Sequence, residues 1–258
     1  MRPYITHTRA LKMPSLLAIT LGLMALWLPS ATSQREVFRL FENCRFGKPD
    51  FDPCVKKALN SIRPWFKTGL PEFNVAPFDP HRADVVEQVR GDRDGFAGYR
   101  LRLLDVSEWG WAKSEVTKFK TDYKNNQIVY SQYFPEKGLN GEYEFESKLL
   151  GSQRKTRGSF NLTLFDYSQT TTVSRIGGQG GLLKVRVAVD KIGDMKLHIS
   201  DLFHGAKLLE SMADFLINTM WQPSLPFVKP LINDLVSTAF TDIFNESFRY
   251  FPLNEVIH

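Results

Sequence analysis

The order of hydrophobic and polar positions predicts a helix, then a run of strands, then helix again. From Asp52-Pro53, an N-cap followed by proline, apolar residues recur every three or four positions, which predicts a first helix. Between about residues 82 and 200 the period becomes two, as in 183–189. Such alternation is typical of an antiparallel sheet with one apolar face. Turns are expected where Asn and Gly concentrate, at 125–126, 138–141, 177–181 and 193–194.

The last fifth of the chain is predicted to be helical. One apolar stripe runs from Leu209 to Trp221, after which three prolines at 223–230 are expected to bend the helix or to make it start afresh. From 231 to 250 a broader apolar stripe would extend over about 30 Å, with a polar opposite face that includes Asn233, Thr241 and Asn245. Because so broad an apolar face needs a concave apolar partner, we expect the one-sided sheet to cover it.

The first 33 residues are interpreted as an export signal. A basic segment without acids precedes an apolar run from Leu16 to Leu28, and the small residues of Ala31-Thr32-Ser33 suit cleavage before Gln34. A spanning helix needs about 20 apolar residues, so an uncleaved membrane anchor is the weaker alternative. We expect residues 1–33 to be removed and residues 34–258 to form a single extracellular domain.

Charge argues against a nucleic-acid partner. The formal net charge is +5, but the predicted leader carries three positive charges and no negative ones, so the mature chain is nearly balanced. The one dense basic patch, Arg154-Lys155-Thr156-Arg157, lies between two strand-like segments. We interpret it as a solvated hairpin tip and not as part of a basic binding face.

The two cysteines, Cys44 and Cys54, lie close together in the sequence. In an oxidising compartment such a pair is most simply one disulfide, which would contribute about 3 kcal/mol in the chain-entropy model. A zinc site is the weaker alternative, because no histidine lies near either cysteine. Two sequons, at Asn161 and Asn245, fit an exported glycoprotein, and their occupancy is left open.

Motifs that mark an enzyme are missing from the sequence. There is no Gly-x-Ser-x-Gly, no His-Glu-x-x-His and no phosphate-binding loop. His81, His198 and His204 are interpreted as surface or turn residues and not as a metal set. We therefore expect a binding protein without catalytic residues, cofactor or metal, and a hydrolase is the less favoured alternative.

Short motifs along the mature chain resemble, in order, those of the takeout proteins, which belong with the insect haemolymph juvenile-hormone-binding proteins. The matching segments are Cys44…Asp52-Pro53-Cys54-Val55-Lys56-Lys57-Ala58-Leu59, Gly69-Leu70-Pro71-Glu72, Asp79-Pro80, Asp201-Leu202-Phe203-His204-Gly205, Asn218-Thr219-Met220-Trp221, Lys229-Pro230 and Phe251-Pro252. Moth hormone carriers have a second disulfide that this chain lacks, which favours the takeout branch.

The resemblance implies an α+β fold in which a highly curved antiparallel sheet wraps the long C-terminal helix, a tubular lipid-binding (super-roll) architecture with an apolar tunnel. It also implies a secreted, monomeric carrier for a terpenoid such as juvenile hormone or for a fatty-acyl lipid, with circadian, feeding or chemosensory roles. Pattern alone leaves open whether the aromatic residues line a cavity or form plain core. The residues expected to line the ligand site are Phe119, Tyr130, Tyr133, Phe134, Tyr143, Phe145, Trp221, Phe227, Leu231, Leu235, Phe240 and Phe244.

A second hypothesis belongs to a different class of protein. An exposed aromatic lip around Trp109 and Trp111 would suit a secreted protein that engages a membrane surface or a receptor without a stored ligand and without stable insertion. The alternative for these two tryptophans is that they cap the end of the sheet.

Overall fold

The secondary structure of the computed structural model follows the predicted order of helix, strands and helix. The structure describes residues 30–71, 75–91, 97–149, 152–176, 181–203 and 207–248. Among these residues two helices come first, α1 (Ser30–Phe41) and α2 (Phe51–Ser61), followed by the 3-10 helix η1 (Arg63–Phe66). A second 3-10 helix, η2 (Trp111–Lys113), follows the second strand, and α3 (Lys207–Phe248) is the C-terminal helix.

Seven antiparallel strands form one sheet. They are β1 (His81–Gly91), β2 (Ala97–Trp109), β3 (Glu115–Asp122), β4 (Gln127–Leu149), β5 (Ser152–Arg175), β6 (Leu183–Lys191) and β7 (Asp194–Ile199). The strand order is β1-β2-β4-β5-β6, with β3 paired to β4 and β7 paired to β5. The long strands β4 and β5, of 23 and 24 residues, therefore hold the sheet together, because every other strand pairs directly or through β2 with one of them.

Two of the predicted turns are confirmed and one is wrong. Asn125-Asn126 lies in the turn between β3 and β4, and Gly193 lies between β6 and β7. Residues 138–141, predicted as a turn, lie instead inside β4. Their glycines allow neighbouring groups to approach the backbone closely and do not reverse the chain. A Cβ atom at the first of them would overlap the indole ring of Trp109. Residues 177–180 of the remaining predicted turn lie outside the described residues.

The basic segment 154–157 is not a hairpin tip. It lies inside β5, where Arg157 is opposite Glu144 and Lys155 is opposite Glu146 on β4. The Lys155 Nζ lies 2.6 Å from a carboxylate oxygen of Glu146. Opposite charges that face each other across an antiparallel pair stabilise the pairing, which is why this polar segment continues the strand.

The helices α1 and α2 form a unit that is linked by a disulfide and docked on β3. The predicted disulfide is confirmed, since Cys44 and Cys54 are bonded with their Cα atoms 5.4 Å apart. Asp52, predicted as the N-cap, lies inside α2 and accepts hydrogen bonds from the backbone N–H and the hydroxyl of Thr121 on β3. Its carboxylate therefore ties the helix to the sheet. Residues 1–29 lie outside the described residues, so cleavage of the leader stays a prediction.

The C-terminal helix is continuous over 42 residues. Pro223, Pro226 and Pro230 all lie inside it, so the prediction of a fresh start at these prolines is wrong. Each proline removes one helical N–H group and leaves the carbonyl four residues earlier without its donor. Those carbonyls belong to exposed residues, where water can bond them, and the helix continues for that reason.

The main core lies between one face of the sheet, called here the inner face, and the C-terminal half of α3. Its buried residues are Trp111, Phe134, Leu164, Tyr167, Val173, Val185, Val187, Val189 and Phe240. The alternating apolar positions predicted for β6 supply Val185, Val187 and Val189 of this set, so the prediction of a one-sided sheet that covers the helix is confirmed.

Candidate ligand-binding site

A row of polar side chains joins α3 to the free edge of β6. Asn233, Ser237, Thr241 and Asn245 recur every four residues and so lie along one line of the helix. Each accepts a hydrogen bond from a backbone N–H of β6, at 2.8–3.1 Å, and the Asn245 amide also donates to the Leu183 carbonyl at 2.8 Å. We call these four residues the polar row. They satisfy backbone groups of an edge strand that has no further strand beside it.

The helix α3 also bonds to β7 and to β1, and β1 is the edge of the sheet opposite to β6. Asn218 bonds both the N–H and the carbonyl of Leu197 on β7, each at 2.8 Å. On the other side, the Gln88 side chain of β1 donates to the Leu231 carbonyl of α3 at 3.1 Å. Since β1 and β6 are the two ends of the strand order, the sheet curves around α3 and leaves a gap that the helix bridges. The predicted wrapping of the helix is confirmed.

The C-terminal half of α3 and the sheet around it, called here the packed half, form a close-packed aromatic core. The Trp111 ring lies 5.1 Å from Phe134 and 5.6 Å from Phe240, and Phe240 lies 6.3 Å from Phe244. Tyr130 packs against the same cluster, and burial raises the pKa of its hydroxyl to about 12. Four predicted site residues are thus brought together in the packed half.

Farther along the sheet, the inner face is apolar but only half-buried. Its half-buried residues come from β2, β4, β5 and β7 and include Leu101, Leu103, Phe145, Phe160, Leu162 and Leu197. We call this surface, with the N-terminal half of α3, the open half. Of the predicted set it contains Phe145, whose ring lies 5.8 Å from Tyr99, and Tyr143, whose hydroxyl donates to the Ser200 carbonyl at 2.8 Å. The open half is a partly buried apolar surface beside a tightly filled core, and the side of it that faces α3 is called here the groove.

The apolar stripe in the N-terminal half of α3 is exposed. Trp221 is buried, but Leu216 and Met220 are exposed and Phe227 is 82% exposed. Because successive residues turn by about 100° around a helix, Leu216 and Met220 lie on the far side from Asn218, which holds the helix on β7. The sheet therefore leaves this stripe uncovered, in contrast to the apolar face of the C-terminal half. Among the described residues, no helix combines the length and the hydropathy that a membrane span requires.

The remaining predicted site residues lie in three different places. Leu231 and Leu235 are partly exposed on α3, where the packed half meets the open half. Phe119 packs against the apolar cluster of α1 and α2. Tyr133 lies on the outer face of β4, where its hydroxyl donates to Asp166 at 2.6 Å. The predicted set is not brought together at one point, and contact of its members with a ligand stays a prediction.

An ion pair that the sequence analysis missed is buried against the aromatic core. Lys137 and Glu108 are 4% and 7% exposed, and the Lys137 Nζ lies 2.5 Å from a Glu108 carboxylate oxygen. The ammonium also lies 3.9 Å from the ring centre of Trp111 and 4.2 Å from that of Phe134, within the range of cation–π attraction. Burial lowers the pKa of Lys137, and the attraction of Glu108 opposes this change only in part.

Further polar groups lie at inner-face positions close to this pair. His81 is opposite Glu108 in the pairing of β1 with β2, and burial lowers its pKa. On β5 the Tyr167 hydroxyl donates to Gln169 at 2.9 Å, and the Gln169 amide donates to Thr171 at 3.4 Å. Burial raises the pKa of Tyr167. Polar residues at inward positions of β5 are the signal from which the sequence could have indicated this network.

The two sequons have different surroundings. Asn161 is exposed on the outer face of β5, between Asn140 of β4 and His198 of β7. The Asn245 amide belongs to the polar row and is bonded to both backbone groups of Leu183. Glycosylation of either residue stays a prediction, but only Asn161 presents its side chain without such bonds to the sheet edge.

Comparison with known proteins agrees with this architecture. The chain matches the family model described as haemolymph juvenile hormone binding protein over residues 19–258. It is 21% identical over 215 residues to the circadian clock-controlled protein daywake of Drosophila melanogaster, across 79% of this chain and 83% of that protein. The crystal structure of Epiphyas postvittana Takeout 1 matches with a TM-score of 0.54 and 21% identity, over 80% of this chain and 96% of that one, and shows the same fold. Because the family model covers nearly the whole length, the chain belongs to the haemolymph juvenile hormone binding protein family.

Proposed function

We propose that this protein is a secreted carrier that holds a hydrophobic small molecule between α3 and the inner face of the sheet. The observation that carries the proposal is the open half, where apolar side chains of four strands remain half-exposed. Apolar burial is favourable by about 25 cal/mol per Å², so an apolar guest that fills this groove removes an unfavourable exposure. Closure of the groove into a tunnel around the cargo is part of the proposal.

The shape of the site favours an extended cargo with little polarity. The family's name supports a terpenoid such as juvenile hormone, and a fatty-acyl lipid has the same elongated apolar form. Tyr143 lies at the wall of the groove, and its hydroxyl would orient an ester, epoxide or carboxylate group by exchanging its hydrogen bond to the Ser200 carbonyl for one to the cargo. The name of the Drosophila relative supports a link to daily rhythm, and feeding or chemosensory roles belong to the same proposal.

The proposal is tested by identifying the cargo directly. Protein purified from insect cells is examined by native mass spectrometry, followed by organic extraction and by titration with a terpenoid and a fatty-acid probe. We expect a co-purified apolar molecule or saturable binding of a probe. An empty protein that binds neither probe would overturn the carrier assignment.

Two matched variants locate the binding in the groove. Phe145→Ala removes apolar surface from the open half, and we expect it to weaken probe binding about tenfold. Val89→Ala removes an exposed apolar side chain from the outer face of β1 and should leave binding unchanged. Equal effects of the two substitutions would place the probe outside the groove.

A second candidate function is favoured by the exposed stripe of α3. The predicted aromatic lip is wrong, since Trp111 is 5% exposed, but Leu216, Met220 and Phe227 present apolar surface to solvent. Such a face suits a protein that engages a membrane or a receptor without storing a ligand. Co-sedimentation with neutral phosphatidylcholine vesicles, without extraction of lipid, would favour this candidate over the carrier.

A further inference from the structure

A second concave site lies apart from the apolar groove, between η1 and η2. It is a cleft of about 750 Å³ whose lining includes Arg63, Lys67, Lys113, Asp79 and Trp109. None of these residues belongs to the ligand site that the sequence predicts. Three cationic side chains and one aromatic ring thus converge on a space that carrier function does not use.

The cations of the cleft are available to a ligand. The Arg63 guanidinium is held in place, because its Nε donates to the Asn60 carbonyl and its Nη1 to the Ser114 carbonyl, each at 2.7 Å. Lys67 and Lys113 are exposed, and neither forms an ion pair with any residue that the structure describes. Arg63 therefore offers a fixed positive group with its remaining N–H donors, and the two lysines add mobile ones.

The carboxylate of the cleft, that of Asp79, already accepts hydrogen bonds from the protein backbone. Asp79 accepts hydrogen bonds from the backbone N–H groups of Gly110 and Ala112, at 3.0 and 2.8 Å, and so fixes the turn that leads into η2. The indole ring of Trp109 lies against Gly138, where a Cβ atom would overlap it. The walls are thus rigid, and the net charge of the side chains that line them is positive.

We propose that this cleft binds the phosphate group of an amphiphile. Three cations around one space match the charge and the several acceptor oxygens of a phosphate, and a fixed guanidinium is suited to contact two of those oxygens. Trp109 gives the adjoining apolar part of the ligand a flat wall. The phosphate comes either from a phospholipid headgroup in a membrane or from a soluble phosphorylated molecule, and the chemistry of recognition is the same for both.

The test uses the full-length secreted protein with two probes. Co-sedimentation measures binding to phosphatidylcholine vesicles with and without phosphatidic acid, and fluorescence titration with glycerol 3-phosphate measures the free group. We expect binding that requires phosphate and that weakens at high salt, because exposed charges are screened. Lys67→Glu with Lys113→Glu should weaken it at least about tenfold. The matched control, Lys124→Glu with Lys184→Glu, makes the same charge change on exposed lysines outside the cleft.

Each outcome decides a part of the proposal. Vesicle binding that glycerol 3-phosphate displaces assigns the site to a membrane headgroup, and binding of glycerol 3-phosphate alone assigns it to a soluble ligand. Equal weakening in the cleft and control variants would overturn the proposal in favour of general electrostatic attraction. Absence of binding to both probes would overturn it outright. Cargo extraction from the same preparation is independent of these results, since no residue named for the groove lines the cleft.

Discussion

Replacing Lys137 by methionine should destabilise the fold strongly. The ammonium lies 2.5 Å from a Glu108 carboxylate oxygen, and both residues are almost completely buried. Met keeps most of the apolar stem but leaves the carboxylate buried without its partner, which typically costs about 3–5 kcal/mol. Loss of the two close ring contacts adds about 1 kcal/mol. We therefore expect the free energy of unfolding, measured by urea denaturation with tryptophan fluorescence, to fall by about 5 kcal/mol.

A double-mutant cycle separates the lost pair from lost packing. Glu108→Met alone should also be costly, because it leaves the ammonium buried and unpaired. The double variant Lys137→Met/Glu108→Met replaces the pair by apolar groups of similar volume and should lie within about 1 kcal/mol of the parent protein. A loss of less than about 1 kcal/mol for Lys137→Met, or a loss in the double variant as large as in the two single variants together, would show that the buried pair does not stabilise the fold in this way.

Three other perturbations test the polar contacts and the disulfide. Burial holds the pKa of His81 below its ordinary value of 6.5. The contribution of His81 to stability is therefore complete above pH 6.5 and is lost as the pH falls through the folded-state pKa. His81→Gln should flatten this part of the pH profile of thermal unfolding. Asn245→Ala should cost about 2 kcal/mol by unpairing two backbone groups of β6, whereas Asn161→Ala, which removes the exposed asparagine of the other sequon, should cost far less. Equal losses would contradict the role of the Asn245 amide. Reduction of the disulfide should lower the free energy of unfolding by about 3 kcal/mol, and an unchanged urea midpoint would show that this link is not stabilising.

The fold was largely predictable because alternation and helical spacing are local properties of the sequence. Leu183 to Val189 alternate without interruption, and these residues indeed supply one wall of the core. The turn at 138–141 was not predictable from glycine content, since the same glycines serve a close approach of Trp109. Only the tertiary arrangement distinguishes a glycine that reverses the chain from one that makes room for a ring.

The candidate site was less accessible to sequence reasoning. Lys137 could not be predicted as buried, because the alternation of inward and outward side chains along β4 shifts by one residue near Pro135. Phe134 faces inward before this shift, and Lys137 and Tyr143 face inward after it. A single period applied along the whole strand therefore places the lysine outside. The aromatic residues could be selected by type, but type does not separate Phe119, which packs on α1 and α2, from those that face the groove.

The polar row also determines which part of α3 can move. Lifting the C-terminal half would expose the backbone groups of β6 to pairing with a strand of another molecule, which is a route to aggregation. Towards the N-terminus the helix has fewer bonds to strand edges, with Asn218 on β7 as the main one. For the proposed carrier, we therefore expect cargo to enter by displacement of this end while residues 233–245 act as a fixed anchor. At those four positions the chain can accept only side chains with an acceptor for a strand N–H, which constrains sequence change there independently of any ligand.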